Sequence, residues 1–240
     1  MKDPAHNLFY VSPAKIQGDS LVISDDEFHH LKNVLRKQSG DVLILTDGLG
    51  HRIEARILNS IRGEIRAEIV KKEKMDTNPK VIVDLAIAPL KGTRTDLVIE
   101  KGGELGIRRF IFYIAQNSVV KDISKAKIER YRKIGRSAIL QSQQYYLPEF
   151  VVRSKISDLI NEFTMYDSVL LADPSGGINV PPDKNKILYI VGPEGGFDDR
   201  ELALFIKAEA RTLSLGTLRL RSETAALAGI AKILSIYKVI

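Results

Sequence analysis

The chain has 240 residues, 44% of them hydrophobic, with 36 Lys+Arg against 30 Asp+Glu and a formal charge of +6. That length supports a sizeable core in one or two domains, and the patterns below favour two. With no cysteine there are no disulfides, thiolate nucleophiles or cysteine-ligated zinc, and His6, His29, His30 and His51 include no i, i+4 pair around a glutamate, so no metal site is expected.

The opening MKDPAHNLFY lacks an apolar signal core, and no apolar run approaches the ~20 residues of a membrane span, so a soluble, cytoplasmic protein is expected. The basic excess favours an acidic partner such as nucleic acid. It is unevenly placed: residues 1–78 hold 12 basic and 12 acidic side chains, the remainder 24 and 18.

In chain order, residues 1–72 read as a small, strand-rich, antiparallel domain with one helix. Asp25, Asp26 and Glu27 open that helix, Phe28, Leu31, Val34 and Leu35 form its apolar face, and Gly40 ends it. Its polar side carries His29, His30, Lys32, Arg36 and Lys37, which suit either solvent or RNA phosphate. DVLILTDGLGH follows as a strand running into an Asp-Gly turn. RIEARI and IRGEIRAEI then alternate, with apolar residues at odd positions from Ile53 to Ile57 and from Ile61 to Ile69.

The polar stretch KKEKMDTNPK, 71–80, breaks both periods, which places a boundary between domains 1–72 and 73–240. Beyond it, apolar runs (VIVDLAIA, FIFYIA, SVLLA, ILYIVG, TLSLG) alternate with helical stretches. Strands apolar on both faces indicate a parallel sheet covered by helices, an α/β domain. One helical stretch, 121–136, holds seven basic and two acidic residues. Ile128, Tyr131 and Ile134 make its inward stripe, while Lys125, Arg132, Lys133 and Arg136 face either solvent or phosphate.

Ligands of open parallel sheets sit at the carboxyl ends of strands. Three loops fall there: LADPSGG after Leu171, VGPEGGF after Val191 and SLGTLRLRSETA after Leu213. VGPEGGF lacks the Lys-Ser/Thr ending of a nucleotide P-loop and is not G-x-G-x-x-G. The helix after it starts with Asp198, Asp199 and Glu201, which satisfy its free amides internally and disfavour an anion. A neutral or cationic ligand, of which S-adenosylmethionine is one example, fits the loops better.

VGPEGGF, LSLGTLRLRSETA, KGTRTDLVIEKGGELGI and HHLKNVLR followed by SGD closely resemble the RsmE family, SPOUT-superfamily methyltransferases that make N3-methyluridine in 16S ribosomal RNA. The resemblance runs over nearly the whole chain. It implies an N-terminal PUA-like β-barrel for RNA binding, a C-terminal α/β domain with a deep trefoil knot that holds S-adenosylmethionine, a homodimer, and 16S ribosomal RNA or the small ribosomal subunit as partner.

Carried over residue by residue, Gly192, Pro193, Glu194, Gly195 and Gly196 match the first cofactor loop. Leu215, Gly216, Leu220, Arg221, Glu223, Thr224 and Ala225 match the second, and Leu171 ends the strand before LADPSGG. Lys91, Arg94, Lys101, Glu104 and Gly106 match the KG-x-R and K-x-x-ELG segments; with His30, Lys32, Arg36, Arg132 and Arg136, the residues Lys91 and Arg94 are the RNA-binding candidates. Two stretches depart from the family. AQNS, 115–118, stands for Ser-Glu-Arg-Ser, and Leu140 and Gln144 replace an acid and a base.

Arg221 is the catalytic candidate, a planar fork of donors for charge developing on the uracil carbonyls; the competing reading is a helix-start arginine paired with Glu223 or a partner subunit. Ser222 is expected to cap that helix, with Glu223 in its first turn. Three other functions remain open on this evidence: methylation of another RNA site, RNA binding without catalysis, and a nucleotide-dependent activity.

Overall fold

The computed structural model describes residues 7–75, 79–177, 180 and 184–240. Residues 1–77 and 139–147 form one compact unit, residues 78–138 and 148–240 a second.

The first unit contains β1 (Leu8–Tyr10), β2 (Ile16–Gln17), β3 (Ser20–Ile23), β4 (Val42–Thr46), β5 (His51–Ile61) and β6 (Glu64–Lys74), in the sheet order β1-β4-β5-β6-β3-β2. Four of its pairings are antiparallel, but β1 adds to the edge of β4 in parallel, which corrects the expectation of a purely antiparallel half. The alternation of the hairpin survives where Ile53, Ala55, Ile57, Ile65 and Ala67 enter the core with Phe9, Leu21, Leu43 and Leu45. Each large side chain fully buried there contributes about 1.5–3 kcal/mol. Ile61 instead points outward, 59% exposed, because a register shift between Ile57 and Asn59 precedes the Arg62-Gly63 turn and changes the phase.

The expected helix is shorter and differently wound. α1 (Asp25–His29) passes into a π turn, His30–Val34, in which the Leu35 amide donates to the His30 carbonyl at 3.1 Å. The extra residue in that turn rotates Val34 into solvent, 69% exposed, while Leu31 stays buried and Phe28 and Leu35 pack beside it. Arg36, at φ +53°, reverses the chain, so the helix stops before Gly40 and Val34 is not part of its apolar face.

Residues 139–147 complete this unit from far along the chain. The Tyr145 carbonyl accepts the Gly50 amide at 2.8 Å and the Thr46 hydroxyl at 3.0 Å, and the Leu147 amide donates to Gly48 at 2.9 Å. Beneath them lies Asp47, 2% exposed, which accepts the Leu49 amide at 2.9 Å and faces His51 Nδ1 at 2.6 Å. Burial pushes this carboxyl up, but the Leu49 amide and His51 together outweigh burial and hold it below its ordinary 3.8. A folded-state value below the unfolded one contributes stability that is present above pH 3.8 and lost as pH falls through the lowered folded value. Asp47→Asn is therefore expected to cost about 1–3 kcal/mol at neutral pH, with the deficit shrinking in strong acid, as thermal melts across pH will read.

The second unit is an α/β layer. In chain order it holds β7 (Ile82–Ile87), α2 (Arg94–Glu104), β8 (Arg109–Tyr113), α3 (Lys125–Gln141, through Ala138), β9 (Glu149–Arg153), α4 (Ile156–Ile160), β10 (Ser168–Gly177), β11 (Lys186–Val191), α5 (Asp199–Lys207), β12 (Arg211–Leu213) and α6 (Ser222–Ile236). All its strand pairings are parallel, in the order β12-β10-β11-β7-β8-β9. Alternate residues serve two cores. Val83, Leu85, Ile87, Tyr189 and Val191 pack with Val98, Tyr131, Ala226 and Ile230 from α2, α3 and α6; Ala86, Leu188 and Ile190 pack with Leu159 of α4 and Phe205 of α5. The edge strand β9 was not expected from the sequence.

Candidate active site

The glycine-bearing loops after β11 and β12 and the stretch 172–174 enclose one cavity of about 510 Å³; LADPSGG, expected as a loop, instead continues strand β10 to Gly177, with Ala172 and Gly177 both paired to Leu213. Its wall consists of Ala172–Pro174, Gly192–Glu194 with Gly196 and Phe197, and Leu215, Gly216 and Leu218–Ser222 with Ala225; Val191 and Leu213 form the strand ends, and Arg94 enters from α2. The expectation that these turns adjoin at one rim holds.

Buried donors fix the wall. Tyr113 donates from its hydroxyl to the Val191 carbonyl at 2.8 Å, just before Gly192, and Tyr189 donates to Ala225 of α6 at 3.0 Å. Burial pushes both phenols up, so both remain protonated donors. Ser214 ties two loops together: its amide donates to Gly177 at 2.8 Å, its hydroxyl to Pro174 at 3.3 Å, and its carbonyl accepts Lys232 Nζ at 2.9 Å. Gly196 and Gly216 take φ of +77° and +125°, conformations that side chains disfavour.

α5 begins as read from its acidic start. Asp198 accepts the Arg200 amide, and Glu201 reaches back to the Asp198 amide at 3.0 Å while its other oxygen takes the Gln116 amide at 2.7 Å. That capping box consumes the amides an anion would need. At α6 the expectation fails in detail. Arg221 is the N-cap residue, φ −71° and ψ 156°, and Ser222 is already helical, so Ser222 does not cap. Glu223 turns to Arg94 rather than to Arg221.

Arg94 is held between two acids. Its Nη1 donates to Glu194 Oε1 at 3.1 Å and its Nε lies 3.8 Å from Glu223 Oε1; Glu194 Oε1 also accepts the Lys91 amide at 3.0 Å. The second oxygens of both glutamates are enclosed without a hydrogen bond. The two carboxylates hold the Arg94 guanidinium in place at the cavity, whose lining carries Arg94, Arg219 and Arg221 alongside Asp173 and Glu194.

Of the cofactor candidates, Gly192, Pro193, Glu194, Gly196, Leu215, Gly216, Leu220 and Ala225 line the cavity, as does Arg221. Leu171 is fully buried in the core, Thr224 is exposed, and Gly195 packs on Asn117; none of the three lines it. Asn117, in a stretch that departs from the family, donates to the Gly196 carbonyl at 3.2 Å. Of the RNA candidates, His30, Lys32, Arg36, Lys91 and Arg132 are exposed, Arg136 is half-buried, and Arg94 lies at the cavity. Sequence reading did not single out Asp173, Phe197, Leu218 or Arg219 as site residues, although all four stand inside the motifs LADPSGG, VGPEGGF and LSLGTLRLRSETA.

Comparison with known proteins decides the family. The RNA methyltransferase domain matches residues 77–234, and the RNA methyltransferase PUA domain matches residues 23–70. The chain belongs to this RNA methyltransferase family. The RNA methyltransferase is 30% identical over 226 residues to Ribosomal RNA small subunit methyltransferase E 2 of Borreliella burgdorferi, covering 90% of this chain and 91% of that one. It is 27% identical over 225 residues, 88% of each chain, to Ribosomal RNA small subunit methyltransferase E of Bacillus subtilis. Its fold matches a Legionella pneumophila methyltransferase solved with bound S-adenosylmethionine, with TM-score 0.85 at 26% identity over 95% of this chain and 96% of that one. The SPOUT-type α/β fold with a PUA-like N-terminal domain is thereby borne out.

Proposed function

We propose that this RNA methyltransferase uses S-adenosylmethionine to methylate N3 of a uridine in 16S ribosomal RNA of the small subunit. The observation that carries the reading is one cavity walled by residues 172–174 of β10 and by the loops after β11 and β12, in a chain of this family. Its chemistry fits the cofactor: apolar walls from Leu213, Leu215, Leu220 and Phe197, exposed loop backbone, and an α5 start whose amides are already capped by its own carboxylates.

In this reading the backbone of Gly192–Gly196 and of Leu215–Leu220, with Ala225, holds the cofactor, which supplies an electrophilic methyl group on a sulfonium. Uridine N3 is normally paired, so the base must be unpaired or extruded before it enters. Arg221 donates to the uracil carbonyls and stabilises the negative charge that develops as N3 loses its proton. Leu220 shields the cavity from water, and alignment contributes about 7–11 kcal/mol of the rate enhancement. Arg94, steadied by Glu194 and Glu223, and the exposed Lys91 guide the RNA.

The exposed His30, Lys32 and Arg36 of the first unit and Arg132 and Arg136 of α3 are the phosphate contacts. RNA affinity is then expected to fall linearly on a logarithmic plot against salt, and Lys32→Ala or Arg36→Ala to reduce the slope by about 1 each in filter binding. The trefoil knot, the homodimer and the cytoplasmic location belong to the same reading and rest on the family resemblance; sedimentation tests the dimer. Nucleoside mass spectrometry of 16S ribosomal RNA from cells with and without the gene tests the function. Loss of N3-methyluridine on deletion supports it, and an unchanged 16S profile overturns it.

A further inference from the structure

The tetrapeptide AQNS, 115–118, is a stretch where the chain departs from its family, and it packs against the loop that follows β11. This inference rests on the function proposed above, in which that loop holds the cofactor. The turn is closed on itself: the Ala115 amide donates to the Ser118 hydroxyl at 2.9 Å, and the Ser118 amide to the Ala115 carbonyl at 3.1 Å. Its backbone is anchored at Gln116, whose amide donates to Glu201 of α5 at 2.7 Å and whose carbonyl accepts Lys121 Nζ at 2.7 Å. Neither contact uses the side chain of Gln116.

Asn117 is different. Its Nδ2 donates to the Gly196 carbonyl at 3.2 Å, and its Cβ stands 2.9 Å from the place a β-carbon on Gly195 would take, so that glycine lets turn and loop approach closely. Two successive glycines are also costly to order, because glycine loses more backbone freedom than any other residue. Gly196, at φ +77°, and Phe197 both line the cavity. The peptide between them is planar and trans, so a donor that holds the Gly196 carbonyl also sets the direction of the Phe197 amide. Asn117 itself does not line the cavity and reaches a ligand only through this loop.

We infer that Asn117 is a positioning residue that holds Gly195 and Gly196 in their cofactor-binding shape before S-adenosylmethionine arrives. Order supplied in advance by a turn that is itself anchored lowers the entropy lost on binding.

The test compares the full-length protein with its Asn117→Ala and Asn117→Asp variants. Loss of one hydrogen bond is expected to weaken calorimetric binding of S-adenosylmethionine about 2–10-fold in Asn117→Ala. Asn117→Asp loses more, because a carboxylate oxygen then faces the Gly196 carbonyl in place of a donor. In the cofactor-free protein the Gly196 amide, which donates to the Pro193 carbonyl at 2.9 Å, exchanges its hydrogen faster in the same order, wild type, alanine, aspartate. Asn117 is exposed, so melting temperatures stay within about 2 °C of the wild type. With 16S ribosomal RNA as substrate, KM for S-adenosylmethionine rises while kcat stays within about twofold. The proposal is overturned if both variants bind the cofactor as tightly as the wild type, if the lost affinity is matched by a lower melting temperature, or if kcat falls while KM holds. A wild-type protein that binds no S-adenosylmethionine overturns the proposed function, and exchange at Gly196 then still decides whether Asn117 orders the loop.

Discussion

Replacing Arg221 by alanine is expected to slow RNA methylation about 10²–10³-fold, the usual loss when one donor to a developing oxyanion is removed. Cofactor affinity should change little, so kcat and kcat/KM fall together. The geometry supports a chemical role over a structural one. Arg221 caps no amide with its side chain, its backbone carbonyl holds the Ala225 amide at 2.8 Å whatever the side chain, and Glu223 is drawn to Arg94. Lysine at 221 keeps the charge but loses the planar fork, so it should rescue only part of the rate. Full turnover by the alanine variant removes Arg221 from the chemistry.

Gly229→Ala is expected to destabilise the second unit by about 1–3 kcal/mol despite the better helix propensity of alanine, worth about 1 kcal/mol. A β-carbon at 229 would lie 2.2 Å from Cζ of Tyr189. That ring is fully buried on the central strand β11 and anchored by its hydroxyl to Ala225, so it has no free direction in which to retreat. Overpacking therefore outweighs propensity. A drop in Tm of roughly 2–4 °C per kcal/mol follows for a unit of this size, together with weaker cofactor binding, because α6 carries Ala225 and the start of the cavity wall. An unchanged melting curve would show that Tyr189 and α6 pack less closely than described.

What the sequence disclosed depended on whether the signal was local. β7, β8, β10, β11 and β12 were legible because strands covered on both faces are continuously apolar, and the loops after β11 and β12 because glycines interrupt such runs; the same signal misled at LADPSGG, where β10 continues to Gly177 by pairing with Leu213. The acidic start of α5 was likewise a local signal, confirmed as a capping box. β9 escaped notice because an edge strand with charged ends, Glu149 and Arg153, has no continuous apolar run. The π turn was invisible because inserting one residue into a helical period leaves Val34 on the apolar stripe on paper and in solvent in fact.

Long-range closures were the harder case. β1 beside β4, residues 139–147 in the first unit, and Arg94 between Glu194 and Glu223 all join positions far apart in the chain. No periodicity encodes such contacts; they follow from packing of the assembled elements. The resemblance supplied Arg94 and Glu194 as motif members, but it is the fold that lets one carboxylate fasten the segment from Lys91 to Arg94 to the loop after β11.

The central claim is that the loops at 172–174, 192–197 and 215–222 together hold the methyl donor, and a crystal structure grown with S-adenosylmethionine tests it most directly. Density for the whole cofactor between Gly192, Leu215 and Ala225, with its methyl group facing the side that carries Arg221, is the predicted result. Density at any other place on the chain, or a cavity that takes phosphate in preference to the cofactor, would contradict the account.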